Sequence, residues 1–124
     1  MPKQVSTFLM FEGNAEEAGR FYAELFGVDI EGLEHRDDGK VQAASLRIAG
    51  QRIMLFDSPV HHQFGFTPAI SLFVDCDSVE ELDRLAAVLG EGGTVMMELG
   101  SYDFARRFTW LADRFGVSWQ LRLA

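Results

Sequence analysis

A shift of 64 residues lays the first half of this chain on the second. Ser6-Thr7-Phe8-Leu9-Met10 falls on Ile70-Ser71-Leu72-Phe73-Val74, and Asn14-Ala15-Glu16-Glu17-Ala18 falls on Ser78-Val79-Glu80-Glu81-Leu82. At the same offset Ile53-Met54-Leu55-Phe56 falls on Val117-Ser118-Trp119-Gln120. One spacing that serves three separated segments predicts two copies of one supersecondary unit. Duplicated halves commonly place a functional cleft between or beside the copies.

Each half opens with a short apolar run, Ser6 to Phe11 in the first, which reads as a strand. A helix follows. Asn14 stands as its N-cap with Glu17 completing a capping box, and Ser78 and Glu81 repeat the pattern. Ala15, Ala18, Phe21, Tyr22 and Leu25 recur at helical spacing, as do Val79, Leu82, Leu85, Ala86 and Leu89. Gly27 and Gly90 stand where the helices should end. Strand-like segments follow at Val28 to His35, Val41 to Ile48 and Gln51 to Phe56, then at Thr94 to Leu99, Phe108 to Ala112 and Val117 to Leu123. Asp37-Asp38-Gly39-Lys40, Ala49-Gly50 and Asp113-Arg114-Phe115-Gly116 carry turn chemistry between them. Ser58 to Pro68 links the halves. The order is therefore βαβββ, twice. A ferredoxin-like βαββαβ plait is the rival, but it has two strands between its helices, where this chain has three and then the strand that opens the second half.

The expected fold class is α+β: two tandem βαβββ modules, about 4–57 and 68–123, forming one domain whose mixed sheets curl around a cleft. With 124 residues, 48% of them hydrophobic, such a domain can bury a sizeable core. A net charge of −8 argues against nucleic acid and against anionic membrane surfaces, both of which call for clustered Lys and Arg. No leader and no apolar run of spanning length is seen, and the lone Cys76 suits a reducing compartment. A cytoplasmic location is expected.

Three segments carry a resemblance to a known family. They are Phe11-Glu12-Gly13-Asn14-Ala15-Glu16-Glu17-Ala18 with the following Phe21-Tyr22, Phe66-Thr67-Pro68-Ala69-Ile70-Ser71-Leu72-Phe73-Val74, and Asp113-Arg114-Phe115-Gly116-Val117-Ser118-Trp119-Gln120. On these the chain resembles the vicinal oxygen chelate superfamily of glyoxalases, bleomycin-resistance proteins and extradiol dioxygenases. It is most similar to the PhnB-like branch labelled 3-demethylubiquinone-9 3-methyltransferase. The resemblance implies a glyoxalase/bleomycin-resistance-like fold and a homodimer. It does not bring methyl transfer with it, because Gly90-Glu91-Gly92-Gly93 follows a helix and precedes a strand, the reverse of a nucleotide-binding glycine turn.

Metal-dependent members of the superfamily hold a divalent ion at positions that the resemblance carries to Val5, Phe56, Ala69 and Gln120. Only Gln120 has a donor atom, so no metal and no cofactor is expected. His61 and His62 are adjacent in the linker and read as solvated loop residues, and His35 as an exposed strand end. Strand alternation about Gln120 places Ser118 and Arg122 on the cleft face, with Trp119 and Leu121 turned to a helix. Thr7, Phe56, Ser71 and Phe73 complete the candidate substrate-binding set. Met54, Phe56 and Phe73 serve equally well as core filling, Trp110 reads as structural, and Cys76 between Asp75 and Asp77 is a poor nucleophile. No catalytic residue can be named.

Two functions remain in view. One is metal-independent binding of a small organic molecule in an apolar cleft. The other is a metal-dependent glyoxalase- or dioxygenase-type enzyme built on Gln120, His61 and His62.

Overall fold

A computed structural model describes all 124 residues, which form two compact units, Met1–Gln63 and Phe64–Ala124. The first unit contains β1 (Thr7–Phe11), α1 (Ala15–Phe26), β2 (Glu31–His35), β3 (Val41–Ile48) and β4 (Gln51–Asp57). The second contains β5 (Leu72–Asp75), α2 (Val79–Gly90), β6 (Thr94–Tyr102), β7 (Ala105–Ala112) and β8 (Ser118–Leu123). Each is a βαβββ module, as the repeat predicts, and the plait is excluded. The sheets are ordered β1-β4-β3-β2 and β5-β8-β7-β6, with the first and last strands of each module parallel and the remaining neighbours antiparallel.

The helix of each unit covers one face of its own sheet. In the first unit Leu9, Leu46, Ile53 and Leu55 from the strands meet Ala18, Tyr22 and Leu25 of α1, all of them buried. In the second, Leu111, Trp119 and Leu121 meet Leu82, Leu85 and Leu89 of α2. Each such aliphatic side chain stabilises its unit by about 1.5–3 kcal/mol relative to exposure. Gly19 lies in the same layer, where an added Cβ would stand 2.6 Å from a Leu55 methyl, so α1 can sit close to β4. Phe21, expected in the stripe, is only half-buried.

The helix ends differ from expectation in one half. Ser78 caps α2 as predicted, its Oγ accepting from the Glu81 N–H at 3.1 Å. Glu81 reaches back to the N–H of Asp77 instead of that of Ser78. Asn14 makes no side-chain cap bond at all. Its role is taken by Asp57 at the end of β4, 1% exposed, whose Oδ1 accepts from the N–H groups of Gly13 and Ala15 at 2.8 and 3.0 Å. Asp57 Oδ2 accepts from the Val41 N–H at 2.9 Å, so one carboxylate ties the α1 entrance to the start of β3. Asp113 plays the matching part in the second unit, accepting from the N–H groups of Phe115 and Val117 and from Trp119 Nε1.

At the other ends, Gly27 adopts the left-handed conformation (φ 66°) that a C-cap residue there needs. Gly90 is the last helical residue of α2, and the cap passes to an extended Glu91. Gly93 is required by proximity: a Cβ there would lie 2.1 Å from the Ala112 carbonyl oxygen. β6 runs past its expected end to Tyr102, with register irregularities along its length, and β2 is shorter than expected, starting at Glu31.

Asp57→Ala would leave three N–H groups without an acceptor, two of them buried and one half-buried. We expect a loss of about 3–5 kcal/mol in urea unfolding, measured by circular dichroism. Gly93→Ala is expected to cost about 2 kcal/mol or more, against little change for Gly100→Ala, where nothing lies within 4 Å.

Candidate functional site

The face of each sheet turned away from its helix carries the candidate residues. In the second unit β8 alternates as predicted: Trp119 and Leu121 are buried toward the helix, and Ser118, Gln120 and Arg122 face the other way. The register pairs Phe73 with Gln120 on one side and Trp110 with Gln120 on the other, so all three share the open face. A hydrogen-bonded chain runs across it. Trp110 Nε1 donates to Ser118 Oγ at 2.9 Å, the Ser118 and Ser71 hydroxyls lie 2.7 Å apart, and Gln120 Nε2 donates to Ser71 Oγ at 3.2 Å. Trp110 is thus part of the open face and not only core.

Beside this chain Phe73 is 49% exposed, with the Arg122 guanidinium 5.1 Å above its ring. Arg122 is held there by Asp75, Nη2 to Oδ1 at 2.8 Å. Phe108 packs under Phe104 and Tyr102 at ring separations of 4.8 and 5.8 Å. Arg107 turns to the helix side and donates to Asp83, while its neighbour Arg106 reaches the Ala124 carbonyl, because adjacent residues of a strand point to opposite faces.

In the first unit Phe8, Met54 and Phe56 share the open face, with Phe8 and Phe56 5.8 Å apart and the Arg36 guanidinium 5.7 Å from the Phe56 ring. A cavity of about 140 Å³ on this face is lined by Phe8, Ser45, Arg52, Met54 and Phe56, among others. Thr7 is a correction. It pairs with Ile53 and so points to the helix side, where its Oγ1 accepts from Gln51 Nε2 at 3.0 Å. The 64-residue offset preserves face between the last strands, carrying Phe56 onto Gln120. It fails between the first strands, where Phe8 and Phe73 are the open-face residues and an odd offset is needed. A slip of one residue exchanges the two faces of a strand.

The remaining polar groups lie elsewhere. His61 is 87% exposed, and its Nδ1 meets Glu12 Oε1 at 2.7 Å. His62 contacts the Ser58 hydroxyl through Nε2 and donates its backbone N–H to Glu12. His35 is not merely solvated, since its Nε2 lies 2.6 Å from Glu16 Oε1. The hydrogen bond from His61 holds the Glu12 carboxyl below its ordinary range, and His35 followed by Arg20 does the same for Glu16. Burial, reinforced by Glu81, Asp75 and Asp77, pushes the Cys76 thiol up to about 11.

Val5, Phe56 and Ala69 offer no ligand atom, which leaves the Gln120 carbonyl oxygen as a single neutral donor. These residues do not fit the metal site that the superfamily uses. No helix is long and apolar enough to cross a membrane.

A model of the family described as 3-demethylubiquinone-9 3-methyltransferase matches residues 3–122. The chain belongs to this family. Among solved structures, the PhnB protein of Bacillus cereus is 46% identical, with a TM-score of 0.94 over 98% of this chain and 100% of that one. A protein from Pseudomonas aeruginosa is 30% identical, with a TM-score of 0.87 over 98% of each chain. A glyoxalase family protein from Enterococcus faecalis, at 21% identity and a TM-score of 0.60 over 97% of each chain, shares the fold. No curated protein matches the chain. The PhnB-like resemblance read from the three segments is therefore correct, and so is the glyoxalase-type architecture.

Two outcomes follow for this PhnB-like chain. With two pH units between the Cys76 thiol and its ordinary value, thiol-reagent trapping at pH 8 should run at least ~100-fold slower in the native chain than in urea. Glu12 has a lowered pKa, so its contact with His61 is complete above the ordinary carboxylate range and lost as pH falls through the lowered value. The His61 ring resonances followed by NMR from pH 6 to 2 should report that loss, and Glu12→Gln should abolish the acid step.

Proposed function

We propose that this protein binds a small organic molecule on the open sheet faces without a metal ion, as one functional domain and as a cytoplasmic homodimer. The observation that carries this reading is the pairing of exposed rings with a polar chain. Phe73 lies beside Ser71, Ser118, Gln120 and Trp110, which offer a few directional hydrogen bonds within an apolar surround, the composition of a small-molecule site. Phe56 stands with Phe8 and Met54 on the open face of the first unit's own sheet. The Gln120 carbonyl oxygen accepts no bond from the chain and is the acceptor that a ligand would meet. The exposed rings of Phe8, Phe73 and Phe104 also supply apolar surface for a second copy to cover.

The methyltransferase description is not adopted as an activity. The glycines at 90–93 end α2 and allow β6 to approach the Ala112 carbonyl, which leaves them in structural use.

Tag-free protein dialysed against Zn²⁺, Ni²⁺, Mn²⁺ and Fe²⁺ should carry well under one metal per chain by elemental analysis. Apolar ligands should raise its melting temperature in metal-free buffer. Stoichiometric metal would sink this reading and favour an enzyme using Gln120, His61 and His62.

A further inference from the structure

Several arginines of the chain are held by ion pairs, and two that stand together are not. Arg20, Arg36, Arg107 and Arg122 each face a carboxylate, from Glu16, Asp38, Asp83 and Asp75 respectively. Arg47 and Arg52 face none, in a chain with 19 acidic residues and a net charge of −8. They stand directly opposite each other on β3 and β4, just before and after the Ala49-Gly50 turn. Like charges directly opposite in a sheet are destabilising. The only hydrogen bond from either side chain is a long one, Arg52 Nη1 to Ser6 Oγ at 3.5 Å.

Their position gives this arrangement a use. The register places both on the open face with Ser45 and Met54, and Arg52 lines the cavity of about 140 Å³ whose apolar wall is Phe8, Met54 and Phe56. We propose that the Arg47–Arg52 pair receives the carboxylate of a small organic acid whose apolar body lies on Phe8, Met54 and Phe56. This rests on the small-molecule reading above and narrows it to one ligand class. A guanidinium presents its N–H groups in a planar fork that matches a carboxylate with two parallel bonds. An anion held between the exposed Arg47 and the cavity-lining Arg52 relieves their mutual repulsion, so the pair is stabilised by the ligand instead of by the fold. Glu31 lines the same cavity from β2 and forms no ion pair with Arg52. With Arg47 and Arg52 on the same face it leaves a net charge of +1, which a monoanionic carboxylate balances and a phosphate ester dianion exceeds.

The test is isothermal titration of the full chain at low salt with 2-naphthoate, neutral 2-naphthamide, 2-naphthyl phosphate and acetate. The carboxylate should bind at least ~10-fold tighter than the amide. Acetate, lacking the apolar body, should bind too weakly to measure. The double variant Arg47→Gln, Arg52→Gln should lose the preference for naphthoate and keep its affinity for naphthamide, with a melting temperature no lower than that of the parent. Equal binding of naphthoate and naphthamide by the parent, or a preference that survives in the double variant, overturns the carboxylate site and leaves small-molecule binding standing. Tighter binding of naphthyl phosphate than naphthoate overturns the choice of carboxylate. If neither naphthoate nor naphthamide binds, both this inference and the reading beneath it fall.

Discussion

A single buried carboxylate organises the first unit. Asp57 sits at the end of β4, and its two oxygens accept three backbone N–H groups from the α1 entrance and from the start of β3. Its own carbonyl accepts from Arg36 Nη1 at 2.9 Å, which draws in the β2–β3 connection as well. Backbone donors removed from water need partners, and here four pieces of chain meet at one residue. With those ends fixed, the strand register follows, and the register decides which side chains face away from the helix. Asp113 does the same in the last turn of the second unit, where its bond from Trp119 Nε1 anchors the largest buried side chain.

Much of this architecture was legible. The two-residue turn at Ala49-Gly50 fixed the bounds of β3, and the apolar alternation of β8 identified its inner and outer faces correctly, because a period of two leaves no third choice. The helix stripes were readable for the same reason, with a different period. Asp57 was not. An aspartate at a strand end has no periodic signature, and its partners are backbone groups up to 44 residues away in sequence. Asn14 drew the eye instead because its neighbours fit a local capping rule, which a distant carboxylate overrode.

The candidate site was legible in part. Ser71, Phe73, Ser118, Gln120 and Arg122 lie on one face of the second sheet, and Phe56 lies on the open face of the first. Thr7 was misplaced because a uniform offset between halves carries no information about pleat parity in a strand of five residues. The Arg47–Arg52 pair was missed although its signal is present. Two residues flanking a two-residue turn at equal distance must stand opposite each other, so their juxtaposition follows from the turn alone. What the chain could not display is that no acid forms an ion pair with either, since pairing of charges is a property of three-dimensional neighbourhoods.

The unequal parity of the halves also bears on how such a duplicated gene can recombine. Crossover between the copies at the helices is in frame with the fold, because there the 64-residue repeat holds. A crossover within the first strands at that same offset would graft a strand whose apolar side chains emerge on the solvent side. Exchange within those strands is therefore mutationally closed unless accompanied by a single-residue insertion or deletion, and the two openings are free to diverge while the helices can still be homogenised.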